Sequence, residues 1–200
     1  IKEAENLLLN HREKRVKPFF DNKVQTDLNC YWLYSNLYSS LILNDHELYS
    51  KTIDKINLIN EKLKKNVFHC YNKNKNEIDV FLEDYVYYAL LLICLYEMNN
   101  DNESLEKCKK IMKEIWSLFF NKDNNLLQKN IFNSNDLFVN PVDIADNNIP
   151  NGNSIYLLIC SKLNNITNDQ EWLKKLDILS KSINTYISFN FSQMFSYLKT

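Results

Sequence analysis

Glycine is nearly absent from this chain: Gly152 is the only one among 200 residues, and there are only three prolines. A chain with so little of either residue has few tight turns and no glycine-rich loop to cradle phosphate groups. Gly152 follows Pro150-Asn151 and precedes an apolar helical run. This setting predicts either a positive φ or a close approach by another part of the chain. The loop around Gly152 is therefore the first candidate for a functional site.

An excess of positive charge is also missing, since the net charge is −1. No basic stripe with interleaved aromatics is present, which argues against a nucleic-acid partner. Lysine-rich stretches such as 61–65 and 107–110 are typical of solvated helix faces. The longest apolar run, 86–95, is too short to cross a bilayer, so we expect no membrane partner.

The five cysteines form no Cys-x-x-Cys or Cys-x-x-His pattern. Cys30, Cys94 and Cys160 fall in apolar helical runs, where a free thiol behaves as a small hydrophobic side chain. We therefore predict buried, reduced thiols and a cytoplasmic or other intracellular reducing compartment. No zinc motif or nucleophile elbow is present either, so no metal and no cofactor is predicted.

The 3.6-residue periodicity of apolar residues predicts an all-α chain. Three segments are apolar nearly all round and predict inner helices, at 28–43, 83–98 and 153–163. Three amphipathic segments predict outer helices, at 47–65, 103–119 and 171–187. Similar Asn-Asp turns separate each inner helix from the next outer one, at 44–45, 100–101 and 168–169. The pattern predicts a two-layer array of helical hairpins.

The connections from outer to inner helices are long, at 16–27, 66–82 and 121–152. If the hairpins stack in parallel, these loops share one face with the first residues of the inner helices, here called the rim. Long polar loops beside helix N-termini are typical places for binding sites. We therefore expect any functional site at the rim.

Three blocks of rim residues resemble one protein family. Arg12 to Pro18, continuing into Asp21-Asn22-Lys23-Val24 and Asn29, resembles its Arg-x-x-Arg-x-x-Pro-x-x-Asp-Asp-Lys signature. The segment 82–85 resembles its Leu-Asp/Glu-Asp-Tyr-Ala block, and the segment 146–154 its Asp-Gly-Ala-x-Pro-Ser-Gly-Asn-Ser block. The family is that of the thioredoxin-domain-containing proteins typified by spermatogenesis-associated protein 20.

The resemblance implies an (α/α)6 toroid like that of N-acylglucosamine 2-epimerases and six-hairpin glycosidases. It implies that residues 1–200 are a single segment, the C-terminal half of the ring, with a thioredoxin-like domain upstream as a partner. The sequence departs from the family at five places. Leu28 stands for Trp, Cys30 for Gly, Asn22 for Asp and Asn151 for Ser, and Asn147-Asn148 stands for Gly-Ala.

Paired carboxylates beside a cavity are what glycoside hydrolysis requires. The catalytic candidates at the rim are Asp84, Asp146, Asp21 and Glu83. The candidates for binding a sugar-like small molecule are Lys23, Asn29, Tyr85, Asn151, Gly152 and Asn153. The alternative is that the aspartates cap helices, and that Asp21 and Lys23 form a structural ion-pair network with Arg12 and Arg15.

Sugar epimerisation by proton transfer requires histidines that face the cavity. Of the three histidines, His11 precedes the arginine block, His46 lies in a short turn, and His69 lies in or beside a variable loop. None is in a predicted inner helix, so the sequence favours epimerisation less than hydrolysis. The leading hypothesis is a toroid segment that binds or processes a carbohydrate at the rim. The alternative is a catalytically inert module that supports the thioredoxin domain or docks a partner protein.

Overall fold

A computed structural model describes residues 2–71, 80–131 and 140–200, and it is almost entirely helical, as predicted. Parts of two long connections, 72–79 and 132–139, lie outside the described residues. The helices are α1 (Lys2–Glu13), α2 (Thr26–Leu43), α3 (His46–Lys62), α4 (Leu82–Asn99), α5 (Asn102–Phe119), α6 (Gly152–Thr167), α7 (Gln170–Asn190) and α8 (Phe195–Leu198). A 3-10 turn, Phe191–Gln193, precedes α8.

Helices α2 to α7 form hairpins α2/α3, α4/α5 and α6/α7, and the inner helices α2, α4 and α6 pack side by side in that order. The middle helix, α4, is the centre of the core. Its residues from Asp84 to Leu95 are buried without a break. By contrast, α5 buries one stripe that includes Leu105, Met112 and Phe119. The predicted division is confirmed for α4 and α6, which are buried over most of their surface. Helix α2, predicted to be buried nearly all round, buries only one face, which includes Cys30, Leu33 and Leu37.

The short turns of the hairpins use asparagine where other proteins use glycine. Asn44, Asn100 and Asn168 end the inner helices with φ near +53°, the left-handed conformation that a helix C-cap requires. Asparagine tolerates this conformation better than other residues with a β-carbon. The aspartate that follows each one caps the next helix, as when Asp101 accepts a hydrogen bond from the Glu103 N–H.

Two short antiparallel strand pairs in the long connections were not predicted. One joins β1 (Val24–Gln25) to β2 (Cys70–Tyr71), and the other joins β3 (Phe120–Asn121) to β4 (Leu126–Leu127). The β1–β2 pair holds the segment before β2 against the start of α2. These pairs therefore fix loops beside the helix N-termini.

Apolar side chains are exposed at both ends of the helical array. Helix α1 buries none of its residues, and Leu7 to Leu9 are largely exposed. Trp32 on α2 is half-exposed, and Phe189 near the end of α7 is 83% exposed. In the described residues, no helix combines the length and the apolar character needed to cross a membrane.

Candidate functional site

A cavity of about 370 Å³ lies at the rim, where α2, α4 and α6 begin. Side chains from all three helix starts and from the connecting loops contribute to it. Its ionisable lining residues are Asp27, His69, Glu83, Lys129 and Asp143. The segment from Asn147 to Asn151 forms one wall. We call this space the rim cavity.

Asp84 lies directly behind the rim cavity and is completely buried. Its Oδ2 accepts a hydrogen bond from the Phe81 N–H at 2.9 Å, which caps the start of α4. Its Oδ1 accepts one from the Asp27 N–H at 3.2 Å, and His69 Nδ1 lies 3.1 Å from both carboxylate oxygens. Burial raises the pKa of Asp84, while hydrogen bonds to Phe81 and His69 oppose that rise. With these donors in place, both oxygens of Asp84 are fully engaged.

His69 lines the rim cavity, although it was discounted as a cavity residue because it lies in no predicted inner helix. The Thr26 N–H donates a hydrogen bond to its carbonyl at 2.9 Å, which ties the residue to the start of α2. The imidazole stands edge-on to the ring of Phe81, with a centroid separation of 4.7 Å. A histidine outside any helix carries no periodic signal. Only the β1–β2 pairing reveals its place.

Glu83 is a wall residue of the rim cavity. Its Oε2 is buried and has no hydrogen-bond partner among the described residues. Burial raises the pKa of Glu83 to about 6, a rise that its own backbone N–H and Lys129 partly oppose. A carboxyl group with such a pKa is half-protonated at about pH 6 and keeps its proton to a higher pH than an ordinary glutamate, which suits a general acid at weakly acidic pH.

Lys129 and Asp143 form an ion pair on the side of the rim cavity near Glu83, with 3.1 Å between Nζ and Oδ2. The bridge between Phe81 and Asn130 places the 126–131 segment beside the start of α4. The Leu82 N–H donates to the Lys129 carbonyl at 2.9 Å. Neither charged residue was among the sequence candidates, because both lie in a long connection with no periodic pattern.

Asp146 is engaged in holding the loop before α6. Its Oδ1 accepts hydrogen bonds from the backbone and side-chain N–H groups of Asn151, both at 3.0 Å. Its Oδ2 accepts one from the Ser196 N–H at 2.8 Å, which links the loop to α8. Asn151 is in turn the N-cap of α6, accepting from the Ser154 N–H. Asp146 therefore holds the loop in place, while the cap of the inner helix α6 is Asn151.

Asn153 and Gly152 fix the start of α6. The buried amide of Asn153 exchanges hydrogen bonds with the backbone of Leu127 and donates to the Asp143 carbonyl. Gly152 has no positive φ. A β-carbon there would lie 2.8 Å from Leu82 Cδ2 and 3.4 Å from Glu83 Oε1. Two reasons for a glycine here were predicted, a positive φ and a close approach by another part of the chain. The structure shows the close approach, by Leu82 and Glu83.

The remaining candidates are not among the residues that line the rim cavity. Asp21 and Lys23 are exposed and pair with each other at 3.2 Å, and no described contact joins Asp21 to either arginine. Asn29, in the first turn of α2, donates a hydrogen bond to the carbonyl of Gln25, the residue before that helix. Tyr85 packs edge-on against Phe119 at 5.6 Å.

Asp27, His69 and Asp84 are also spaced as metal ligands are, with one ligand atom from each within 4.8 Å of the others. In the described ranges no other such group occurs. The oxygens of Asp84 already accept N–H groups and the imidazole, so hydrogen bonding alone accounts for the cluster. We therefore interpret it as a hydrogen-bonded pair of Asp84 and His69 beside Asp27.

A larger cavity of about 530 Å³ lies near the opposite ends of α2 and α4. Tyrosines of α2 line it together with the ion pair of Lys162 and Glu97, whose atoms are 2.6 Å apart. The turn from Asn44 to His46 lines it, and none of the three rim blocks singled out in the sequence does. Size alone therefore does not make it the candidate site.

No family model and no curated protein matches the sequence. Solved structures do match the fold. An inactive variant of an α-1,6-mannanase from Salegentibacter sp., in complex with α-1,6-mannotriose, aligns with a TM-score of 0.62 at 17% identity over 90% of this chain and 51% of that chain. A glycoside hydrolase family 76 mannosidase from Bacteroides thetaiotaomicron aligns with a TM-score of 0.62 and 14% identity, over 81% of this chain and 44% of the mannosidase. Cellobiose 2-epimerase from Bacillus thermoamylovorans aligns with a TM-score of 0.62 and 15% identity, over 80% of this chain and 44% of the epimerase.

These neighbours establish the fold class as an α/α toroid, as the sequence predicted. The chain spans about half the length of the structures it matches. At identities this low the likeness concerns the fold alone, and function has to be argued from the site.

Proposed function

We propose that this toroid segment contributes to the binding and hydrolysis of a carbohydrate at the rim cavity. The observation that carries the proposal is Glu83. Its carboxyl group lies in the wall of the cavity and has a buried oxygen with no partner among the described residues, and its pKa of about 6 keeps it protonated at weakly acidic pH. Glu83 then acts as the acid that protonates the leaving oxygen of a glycosidic bond.

The nature of the neighbours supports this proposal. The mannanase is described as inactive when two consecutive aspartates are replaced by asparagine. In this chain Glu83 and Asp84 are also consecutive acidic residues, at the start of an inner helix. Because both oxygens of Asp84 are engaged by the protein and Glu83 lines the rim cavity, Glu83 is the member of the pair that can reach a ligand. Asp146 and Asp21 are assigned no chemical step.

The intact protein tests this proposal with the neighbours' own sugars. We expect α-1,6-mannotriose, α-1,6-mannotetraose or cellobiose to bind in calorimetry, with hydrolysis followed by chromatography of the products. Glu83→Gln removes the proton donor but keeps the shape, so it should retain binding and lose about 10²–10⁴-fold in kcat. Glu106→Gln, on the exposed face of α5, is the matched control. Undiminished hydrolysis by Glu83→Gln would exclude this role.

A second candidate function is a catalytically inert module that supports a thioredoxin-like domain, as the resemblance to the spermatogenesis-associated protein 20 family implies. Asp146 favours it, because its carboxylate holds the loop before α6 to α8. A thermal-shift comparison separates the two functions. Stabilisation by an oligosaccharide supports the carbohydrate site, whereas stabilisation by a thioredoxin-like domain alone supports the inert module.

The five free and buried thiols also support the proposal that this protein works in a reducing compartment.

A further inference from the structure

His69 has one ring nitrogen held by the protein and one that is not. Nδ1 lies 3.1 Å from each oxygen of Asp84. An ionised carboxylate only accepts hydrogen bonds, so Nδ1 carries the proton of the pair. In a neutral imidazole the other nitrogen, Nε2, is then unprotonated and able to take a proton. Among the described residues, Nε2 makes no hydrogen bond with the protein, and the side chain lines the rim cavity.

The imidazole is also held in place from several sides. Its backbone is tied to α2 by the Thr26 N–H, and its ring stands against Phe81. Asp84 is itself fixed by the N–H groups of Phe81 and Asp27. A ring restrained in this way does not have to be ordered during a reaction, which is how a second group orients a general base.

Asp84 has no exposed surface. With both oxygens engaged it cannot also contact a substrate, so any influence it has on chemistry passes through His69. His69 and Glu83 both line the rim cavity, and together they supply a proton acceptor and a proton donor.

We propose that His69 is the general base of the rim cavity, and that Asp84 is a positioning residue that fixes its tautomer. This inference rests on the proposed hydrolytic function and deepens it. Nε2 takes a proton from a water molecule whose oxygen forms the new bond to the anomeric carbon. The glycosidic C–O bond breaks, and the leaving oxygen receives the proton of Glu83. Transfer of the proton from His69 back to Glu83 through solvent completes the cycle, with one water consumed.

The tautomer of His69 is the first test, and it needs no substrate. In ¹⁵N NMR spectra of the intact protein with labelled histidines, we expect His69 to carry its proton on Nδ1. Asp84→Asn offers an amide that can donate to Nδ1, so a measurable fraction of His69 should then carry its proton on Nε2. The resonances of His11 and His46 should not move. A proton on Nε2 in the unsubstituted protein would overturn the proposal.

The kinetic test uses α-1,6-mannotriose. His69→Ala should lose about 10²–10⁴-fold in kcat with little change in KM, because it removes a proton acceptor and not a binding contact. Added imidazole should restore part of kcat to this variant, which a purely structural role of His69 would not allow. His11→Ala, on the exposed helix α1, is the control.

The outcomes separate this inference from the proposed function. Cleavage that survives His69→Ala, or a loss that imidazole does not rescue, overturns the role of His69 and leaves carbohydrate hydrolysis standing. If the intact protein cleaves none of the sugars, the proposed hydrolysis is wrong, and so is the role of His69 as its general base. In that case the tautomer spectra still decide whether Asp84 controls His69.

Discussion

At the residue scale, Gly152 joins the starts of two inner helices. Its missing side chain leaves room for Leu82 and brings the carboxyl group of Glu83 close to the α6 backbone. Helix α6 begins at this residue, and ordinary residues are compatible with its backbone. The requirement for glycine is therefore steric.

Gly152→Ala should destabilise the protein by about 1–3 kcal/mol, because the added methyl group overlaps Leu82. The reduced entropy of the unfolded chain offsets only about 0.4–1 kcal/mol of this cost. Urea unfolding measures the change. In the double variant with Leu82→Ala the two losses should be less than additive, since the clash is removed. Additive losses would show that Leu82 is not the obstacle, and Asn148→Ala on the exposed loop is the control.

Glu83 gives the protein a dependence of stability on pH with a definite sign. Its pKa is about 6 in the folded protein and 4.5 as an unperturbed group, so the folded state binds more protons between these values. The contribution of Glu83 to the free energy of unfolding therefore falls as the pH rises from 4.5 to about 6. Replacement by glutamine removes the cost of burying the charge.

Glu83→Gln should accordingly gain about 1–2 kcal/mol in unfolding free energy relative to the unsubstituted protein at pH 7.5, and little at pH 4. Guanidinium unfolding at the two pH values measures the difference. An exposed carboxylate replaced in the same way, Glu106→Gln, should show no such pH-dependent gain. An equal effect of Glu83→Gln at both pH values would contradict the assigned burial.

At the scale of the elements, the inner helices are the part that the sequence predicts best. The predicted inner helix at 28–43 corresponds to Thr26–Leu43, and the one at 83–98 to Leu82–Asn99. Long apolar runs without glycine or proline determine these limits. The strand pairs had no comparable signal, because each strand has two residues and depends on a partner far away in the chain. Helix α1 was also not predicted, since its leucines are consecutive and form no stripe.

The asparagines that end the inner helices are predicted to be better replaced by glycine than by alanine. Asn100 has φ of 53° and is exposed, so substitutions test the backbone alone. Asn100→Ala should lose about 1 kcal/mol in unfolding free energy, because its β-carbon disfavours the left-handed conformation, whereas Asn100→Gly should lose nothing. Thermal and urea unfolding of the two variants give the comparison. Equal losses would mean that the amide side chain, and not φ, is what the turn requires.

At the scale of the whole molecule, the sequence predicted where a site lies better than which residues form it. The parallel inner helices and their long connections correctly predict a cavity at their N-termini. Glu83 was identified because it lies at a helix start. His69, Lys129 and Asp143 were not, because loop residues are brought to the cavity by strand pairing and by backbone contacts that no local pattern encodes.

The position of the cysteines gives this molecule its own reporters of local unfolding. They are distributed over the core, with Cys30 in α2, Cys94 in α4, Cys108 in α5, Cys160 in α6 and Cys70 in β2. Burial raises the pKa of Cys94 to about 11 and that of Cys160 to about 12, so neither is reactive while it remains enclosed. Alkylation at each position therefore requires that part of the chain to open.

Labelling with iodoacetamide followed by peptide mass spectrometry should then report the opening of each element without any engineered residue. We expect Cys70 to react first, since β2 has two residues and packs at the edge. Cys108 and Cys160 should react last, since both side chains are completely enclosed. A single rate for all five would mean that the molecule opens as one unit. The relative alkylation rates of the five thiols therefore give the order in which the hairpins separate.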